Sequence, residues 1–157
     1  MCSSDLRSFT MYEVVLTGTA ERTRLWRDEA LARANAWLGR LGLDTKVVGA
    51  NDAFFGRAAG YLAGKQLDEE LKWEITAAVD TDVVQAIASA NWHRDHFGAA
   101  FDLLLADGSP ANSACTGFGL DRVALALYHR HGRDLAAWPE DVRAALNLDT
   151  AILKDAP

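Results

Sequence analysis

The stretch Ser113 to Gly132, SACTGFGLDRVALALYHRHG, constrains the fold more than any other part of the chain. A β-prone lead with one cysteine breaks at Gly117-Phe118-Gly119, and a helical pattern follows at once. Leu120, Val123, Ala124, Leu127 and Tyr128 recur at the three-and-four spacing of a helix with one buried face. The spacing therefore predicts a strand that runs straight into a helix packed down on a sheet. Gly132 stands where a C-terminal glycine is expected, and Arg130 and His131 fill the last turn, where positive charge suits the helix dipole. Because the glycines lack a Cβ, a flat ring or a phosphate chain can approach the backbone at this junction. Arg122, in the first turn, offers a planar guanidinium able to stack on a base or hold phosphate oxygens. By themselves these residues also describe an ordinary strand-turn-helix with a surface Arg, since an isolated Gly-x-Gly is a weak signal.

The rest of the chain supplies partners for that unit. Ser8 to Thr17, SFTMYEVVLT, alternates and is rich in aromatic and β-branched residues, so it reads as a strand. Glu13 on it is an exposed strand carboxylate or, in a central strand, one that needs a metal or cation to offset desolvation. Thr19 to Leu41 is an amphipathic helix capped by Thr19, with Trp26, Ala30, Ala34, Trp37 and Leu41 on one stripe and an Arg-rich solvated face opposite. Thr45 to Ala50 is a short β segment before a turn at Asn51-Asp52. Leu71 to Val79 and Val83 to Trp92 are strands joined by the acidic turn Asp80-Thr81-Asp82. Period two places Gln85, Ile87, Ser89 and Asn91 on one side of the second, and its three polar side chains suit a site lined with hydrogen-bonding groups. His93 and His96, three apart, face opposite sides of a strand, so structural hydrogen bonding with Asp95 is expected rather than a shared metal site. Phe101 to Ala106 reads as a strand, Asp107 to Pro110 as a turn, and Asp141 to Leu148 as a short helix covering the sheet edge.

The chain has 157 residues, half of them hydrophobic, enough for one sizeable core and one domain. A formal net charge of -6 argues against a protein that mainly grips nucleic-acid backbone, and docking to an acidic partner would need a local basic patch. Two cysteines far apart make no disulfide framework. No apolar run reaches the length of a membrane span and no signal peptide precedes the first strand, so the expectation is a soluble cytoplasmic protein with no membrane partner.

GFGLDR followed by an apolar helix resembles motif 3 of the class II aminoacyl-tRNA synthetases, whose Arg lies against ATP. The version with Cys just upstream, ACTGFGLDRVALALYHRHG, is similar to the amino acid:[carrier protein] ligases, relatives of the zinc-dependent seryl-tRNA synthetases without a tRNA-binding domain. ANDAFFGR at Ala50 to Arg57 and SANWHRDHFG at Ser89 to Gly98 agree, and the resemblance runs from about Arg7 to Gly132.

The resemblance implies an α+β fold, an antiparallel sheet flanked by helices, forming the C-terminal part of a class II catalytic domain. It implies Zn2+ held by Glu13 and Cys115, with a third ligand, a Cys, upstream of the residues present. ATP with Mg2+ would lie against Arg122 and Gly119, with Gln85 nearby where seryl-type synthetases carry a Glu; the amide removes a charge. Glu13, Ser89 and Asn91 would face a small amino acid, typically glycine or alanine. Activation would give an aminoacyl-adenylate, and the phosphopantetheine thiol of an acyl-carrier-like protein would take the aminoacyl group. A homodimer and no tRNA partner are implied for the full-length enzyme. Without the resemblance Cys115 reads as a small apolar filler. Phe54 to Lys65, FFGRAAGYLAGK, is either a docking segment for an acidic carrier or a plain helix-loop.

Met1 to Leu6, MCSSDL, fits neither the family pattern nor a structural element, and Cys-Ser-Ser-Asp-Leu back-translates to TGC TCT TCC GAT CT, the end of a common sequencing adapter. Residues 1–6 are therefore expected to be a non-native leader, with 7–157 as the domain; a natural disordered N-terminus is the alternative. Motif 1, the α-phosphate Arg and the first metal ligand would precede Arg7, so the chain as written is expected to have little or no ligase activity. Two rival readings are a non-catalytic class II synthetase-like binding module and a tRNA-linked seryl-tRNA synthetase-like protein.

Overall fold

The computed structural model describes residues 8–50 and 71–148. The expectations for Met1 to Leu6, for the Asn51-Asp52 turn and for Phe54 to Lys65 fall outside the described residues. Among those described, the strands are β1 (Met11–Gly18), β2 (Lys46–Gly49), β3 (Lys72–Asp80), β4 (Val83–Arg94) and β5 (Asn112–Gly119). All pair antiparallel in one sheet of order β1-β5-β4-β3-β2. The helices are α1 (Ala20–Arg40), α2 (His96–Ala100), α3 (Leu120–His131) and α4 (Glu140–Ala145). The α+β architecture expected from the sequence is the one observed.

The two long helices cover one face. α1 lies over β4 and β5, and α3 lies over β3 and β4. Trp37 of α1 meets Phe118 of β5 edge-on at 6.0 Å, and the Trp92 indole of β4 donates to the Thr23 hydroxyl at 3.1 Å. Leu38, Leu41, Ile75 and Ile87 are fully buried between these layers. Each contributes roughly 1.5–3 kcal/mol relative to exposure, so this layer carries much of the fold's stability. The opposite face carries no long helix among the described residues.

Several local expectations shift. The Thr19 hydroxyl caps α1 by accepting from the Arg22 amide at 3.3 Å, as its sequence position predicts. The buried stripe of α1, however, runs through Thr23, Arg27, Ala34 and Leu38, one position off the expected stripe, and Trp37 is left partly exposed. Arg27 is thus buried, 2 % exposed, with its Nε on the Asp28 carboxylate at 2.6 Å, although an Arg-rich face reads as solvated. In α3 the buried residues are Val123, Ala126 and Leu127, while Leu120 and Tyr128 stay exposed. Gly132 closes that helix at φ +84°, a conformation that favours glycine.

Phe101 to Ala106 is not a strand. It turns after α2 and returns to β5 through an isolated bridge between Leu104 and Pro110. The loop is pressed so closely on β5 that a Cβ added at Gly98 would stand 2.0 Å from the Ala111 carbonyl oxygen. Gly98→Ala is accordingly expected to destabilise the fold by about 3 kcal/mol, the upper end of ordinary overpacking. Gly39→Ala, in α1 with nothing within 4 Å of the new Cβ, is expected to stabilise by about 0.5–1 kcal/mol. Urea unfolding of both variants checks the pair; equal effects would contradict the packing described.

Candidate active site on the open face of the sheet

Strand β5, between β1 and β4, carries small residues toward the uncovered face. Its register sets Cys115 opposite Val15 of β1 on one side and Asn91 of β4 on the other; Gly117 lies between Glu13 and Ser89. Directly opposed residues in antiparallel strands share a face, and alternation carries that face along each strand. Glu13, Ser89, Asn91, Cys115, Gly117 and Gly119 therefore lie on one surface. The glycines keep it open: a Cβ at Gly117 would meet Met11 at 3.0 Å and Glu13 Oε1 at 3.6 Å. A side chain there would first press on the flexible end of Met11 and stand in contact with the Glu13 carboxylate.

Cys115 is 3 % exposed and is the centre of a polar cluster. Asn91 Nδ2 donates to its Sγ at 3.3 Å, and His93 Nε2 approaches the same sulfur at 3.5 Å. The other ring nitrogen of His93, Nδ1, is 3.0 Å from the Ser113 hydroxyl. Burial, and then a hydrogen bond from the thiol to the Glu13 carboxylate, push the Cys115 thiol up to about 11, against a smaller opposing pull from Asn91. The thiol is therefore protonated at neutral pH. β1 is the edge strand of the described sheet and Glu13 lies on it with an exposed backbone environment, so the central-strand argument for its carboxylate does not apply.

Arg122 enters the same face from the first turn of α3. Its Nη1 donates to the Ala86 carbonyl at 3.1 Å, and its guanidinium carbon sits 4.2 Å over the Phe9 ring. Phe9 is held there by Thr10, whose amide donates to Asp121 Oδ2 at 2.7 Å and whose carbonyl accepts from the Leu120 amide at 2.9 Å. Gly119 is required beneath this pair, because a Cβ would lie 3.3 Å from Phe9 and 3.4 Å from Arg122 Cδ. The buried Nε of Arg122 has no hydrogen-bond partner among the described residues. A pocket of about 180 Å³ runs from Phe9, Gly119 and Arg122 to Gly117, Ser89, Lys72 and Glu74.

Gln85 is placed differently from expectation. The β3–β4 register jumps between Ile75 and Thr76, where Ala88 and then Ala86 are opposed, so Ile87 is an extra residue. The bulge reverses the facing of what precedes it, and Gln85 pairs with the buried Ala77 on the helix-covered side rather than continuing the Ser89 and Asn91 row. Strict period two across the strand could not show this. Lys72 and Glu74, 3.4 Å apart as an ion pair and opposed to Asn91 and Ser89, were not singled out by the sequence reading; nor was Phe9. The signal for the ion pair was their alternation on LKWE. His93 joins the cysteine cluster, a role signalled by its two-residue offset from Asn91. No group of three or more His, Cys, Asp or Glu side chains among the described residues is arranged to hold a metal ion.

No protein-family model matches the chain. It is 40% identical over 144 residues to amino acid--[acyl-carrier-protein] ligase 2 of Bradyrhizobium diazoefficiens, covering 91% of this chain and 43% of that protein. It is 26% identical over 149 residues to the type-2 serine--tRNA ligase of Methanococcus aeolicus, covering 88% of this chain and 27% of the relative. The structure superposes on the seryl-tRNA synthetase of M. kandleri, solved with A. aeolicus tRNASec, at a TM-score of 0.74 and 22% identity, over 94% of this chain and 30% of the other. The fold is the class II aminoacyl-tRNA synthetase-like fold. The chain is thus similar to the amino acid--[acyl-carrier-protein] ligases, and it spans less than half the length of the one it matches.

The cluster predicts slow chemistry at Cys115. Iodoacetamide modification of the Cys115 peptide, followed by mass spectrometry, should rise through an inflection near pH 11. Glu13→Gln removes the charge and should move that inflection downward; an inflection already in the ordinary thiol range in the unmodified protein would contradict the geometry.

Proposed function

We propose that this chain contributes the amino-acid and nucleotide surface for ATP-dependent activation of a small amino acid, followed by transfer to the phosphopantetheine thiol of a carrier protein. The observation that supports it is the placement of Cys115, Glu13 and Arg122 on one open sheet face, with a pocket at the Arg122 end walled by Gly117 and Gly119. The kinship with the carrier-protein ligases gives the reaction class.

At one end, Arg122 and Phe9 form a cation–π pair at 4.2 Å, and an adenine ring could take the place of either face contact. The unpaired Nε of Arg122 is a donor available to a ligand. Gly119 lets the base or the phosphate chain reach the backbone. At the other end, Ser89 and Asn91 supply hydroxyl and amide groups, and Glu13 a carboxylate, to orient the amino acid. Much of the rate acceleration would come from this alignment of carboxylate and α-phosphorus.

Cys115 and Glu13, a thiol and a carboxylate, would be two of the ligands of Zn2+; the described residues supply no third His, Cys, Asp or Glu arranged with them, so the metal would need a further ligand. When bound, the metal supplies a Lewis acid with an open position for the amino group. Asn91 keeps a donor on the sulfur in either state. Mg2+ would accompany ATP. Glycine or alanine as substrate, a homodimer, a cytoplasmic location and the absence of a tRNA partner belong to the same proposal. The formal net charge of -6 disfavours the tRNA-linked reading, and docking of an acidic carrier would equally need a local basic patch.

Arg122→Ala should weaken binding of Mg2+-ATP by roughly tenfold, the loss of about 1.4 kcal/mol expected for one stacked, charge-assisted contact. Isothermal titration on the full chain, with circular dichroism to confirm folding, measures it. Equal affinity in the folded variant would remove the nucleotide end of the proposal.

A further inference from the structure

The described sheet ends differently at its two edges. β2 has four residues and begins with Lys46; shortness and a lysine are two devices that keep an edge from pairing. β1 has eight residues, MYEVVLTG, with no Lys, no Pro and no bulge in its register with β5. It is open on both faces, Tyr12 being 60 % and Val15 58 % exposed. The Thr10 carbonyl accepts from the Leu120 amide, so the even-numbered residues of β1 turn their backbone groups toward β5. Alternation then turns the amides and carbonyls of Met11, Glu13, Val15 and Thr17 out of the sheet. On the helix side, a groove of about 500 Å³ lies beside this edge, lined by Leu16, Leu25, Trp26 and Arg22. Tyr12 shares that side, since it is opposed to Phe118, the ring that meets Trp37 of α1.

We propose that β1 is a self-association edge, pairing antiparallel with β1 of a second copy about a two-fold axis at Val15. The sequence of the strand selects that register. An axis at Glu13 would set two carboxylates opposite each other, which is destabilising. With the axis at Val15, Val15 meets Val15 of the partner subunit, and the Glu13 carboxylate stands against the hydroxyl of Thr17 of the partner subunit. On the helix side, Val14 meets Leu16 of the partner subunit, and Tyr12 lies over Gly18 of the partner subunit. Gly18 leaves room for that ring: a Cβ there would stand 3.6 Å from Arg22 Cδ, so a tyrosine over the glycine rests against the arginine of the groove. This is a cation–π contact and a cross-strand cover for a glycine, two stabilising pairings. Each copy thus carries the aromatic ring at one end of β1 and its receptor at the other, which is the order a two-fold requires. The proposal rests on neither the nucleotide nor the metal reading.

Sedimentation velocity of the full chain over a concentration series should show a monomer–dimer equilibrium that stops at the dimer. Tyr12→Ala should weaken it by roughly tenfold or more, and Tyr12→Phe should retain it. Val15→Pro removes only an amide turned out of the sheet, so it should abolish the dimer while circular dichroism shows the fold intact. The register is read by cross-linking in a Cys2→Ser background, where buried Cys115 is the only native thiol. Val15→Cys places two thiols across the axis, with Cα atoms roughly 5.5 Å apart, and should give a disulfide-linked dimer under mild oxidation. Val14→Cys should not. A chain that stays monomeric throughout, or a dimer indifferent to Tyr12→Ala and Val15→Pro, would overturn the proposal. So would growth beyond the dimer, linkage through Val14→Cys instead, or a mass showing a peptide of another sequence on the edge.

Discussion

The placement of β5 between the edge strand β1 and the central strand β4 is the constraint on which everything else depends. Its inward row is Ser113, Cys115, Gly117 and Gly119, a hydroxyl, a thiol and then two positions with no side chain. The neighbouring strands can therefore lay Glu13, Met11 and Ser89 across the sheet without meeting β5 atoms. The helix that follows without a loop brings Arg122 over the end of the same row. Larger residues at Gly117 or Gly119 would separate the two ends, since the distances available there are 3.0 to 3.4 Å to the nearest side chains. Sheet stability comes from the other face, where α1 and α3 are packed, so the open face can carry polar groups that a core would not accept.

Electrostatics divides that face in two. At the cysteine end, burial and the nearby Glu13 carboxylate hold the thiol protonated. At the arginine end, the guanidinium is already cationic and only partly satisfied, and aromatic carbon rather than water lies against it. Lys72 and Glu74 stand between the ends as an ion pair.

Much of this was readable before any coordinates. The strand-to-helix junction, the cap at Thr19, the glycine at the end of α3 and the antiparallel sheet follow from local chemistry that tertiary structure did not override. The resemblance to the class II family singled out Glu13, Cys115 and Arg122, none of which periodicity alone would have chosen. What was not legible depended on single-residue irregularities. One extra residue, Ile87, turned Gln85 to the far side of the sheet. A strand extending to Arg94, rather than ending at Trp92, brought His93 beside the cysteine instead of leaving it to Asp95. Arg27 broke the rule that arginine marks a solvated helix face, and Phe101 to Ala106 had strand composition but is tied down by Gly98 against Ala111.

The central claim is that metal and nucleotide share the open face of one sheet, at opposite ends of the β5 row. Anomalous diffraction at the zinc edge, from crystals of the full chain grown with Zn2+ and Mg2+-ATP, tests it most directly. The account predicts a zinc peak in bonding distance of Cys115 Sγ and the Glu13 carboxylate, with the adenine against Arg122. Zinc bound elsewhere, or a nucleotide on the helix-covered side, would contradict it.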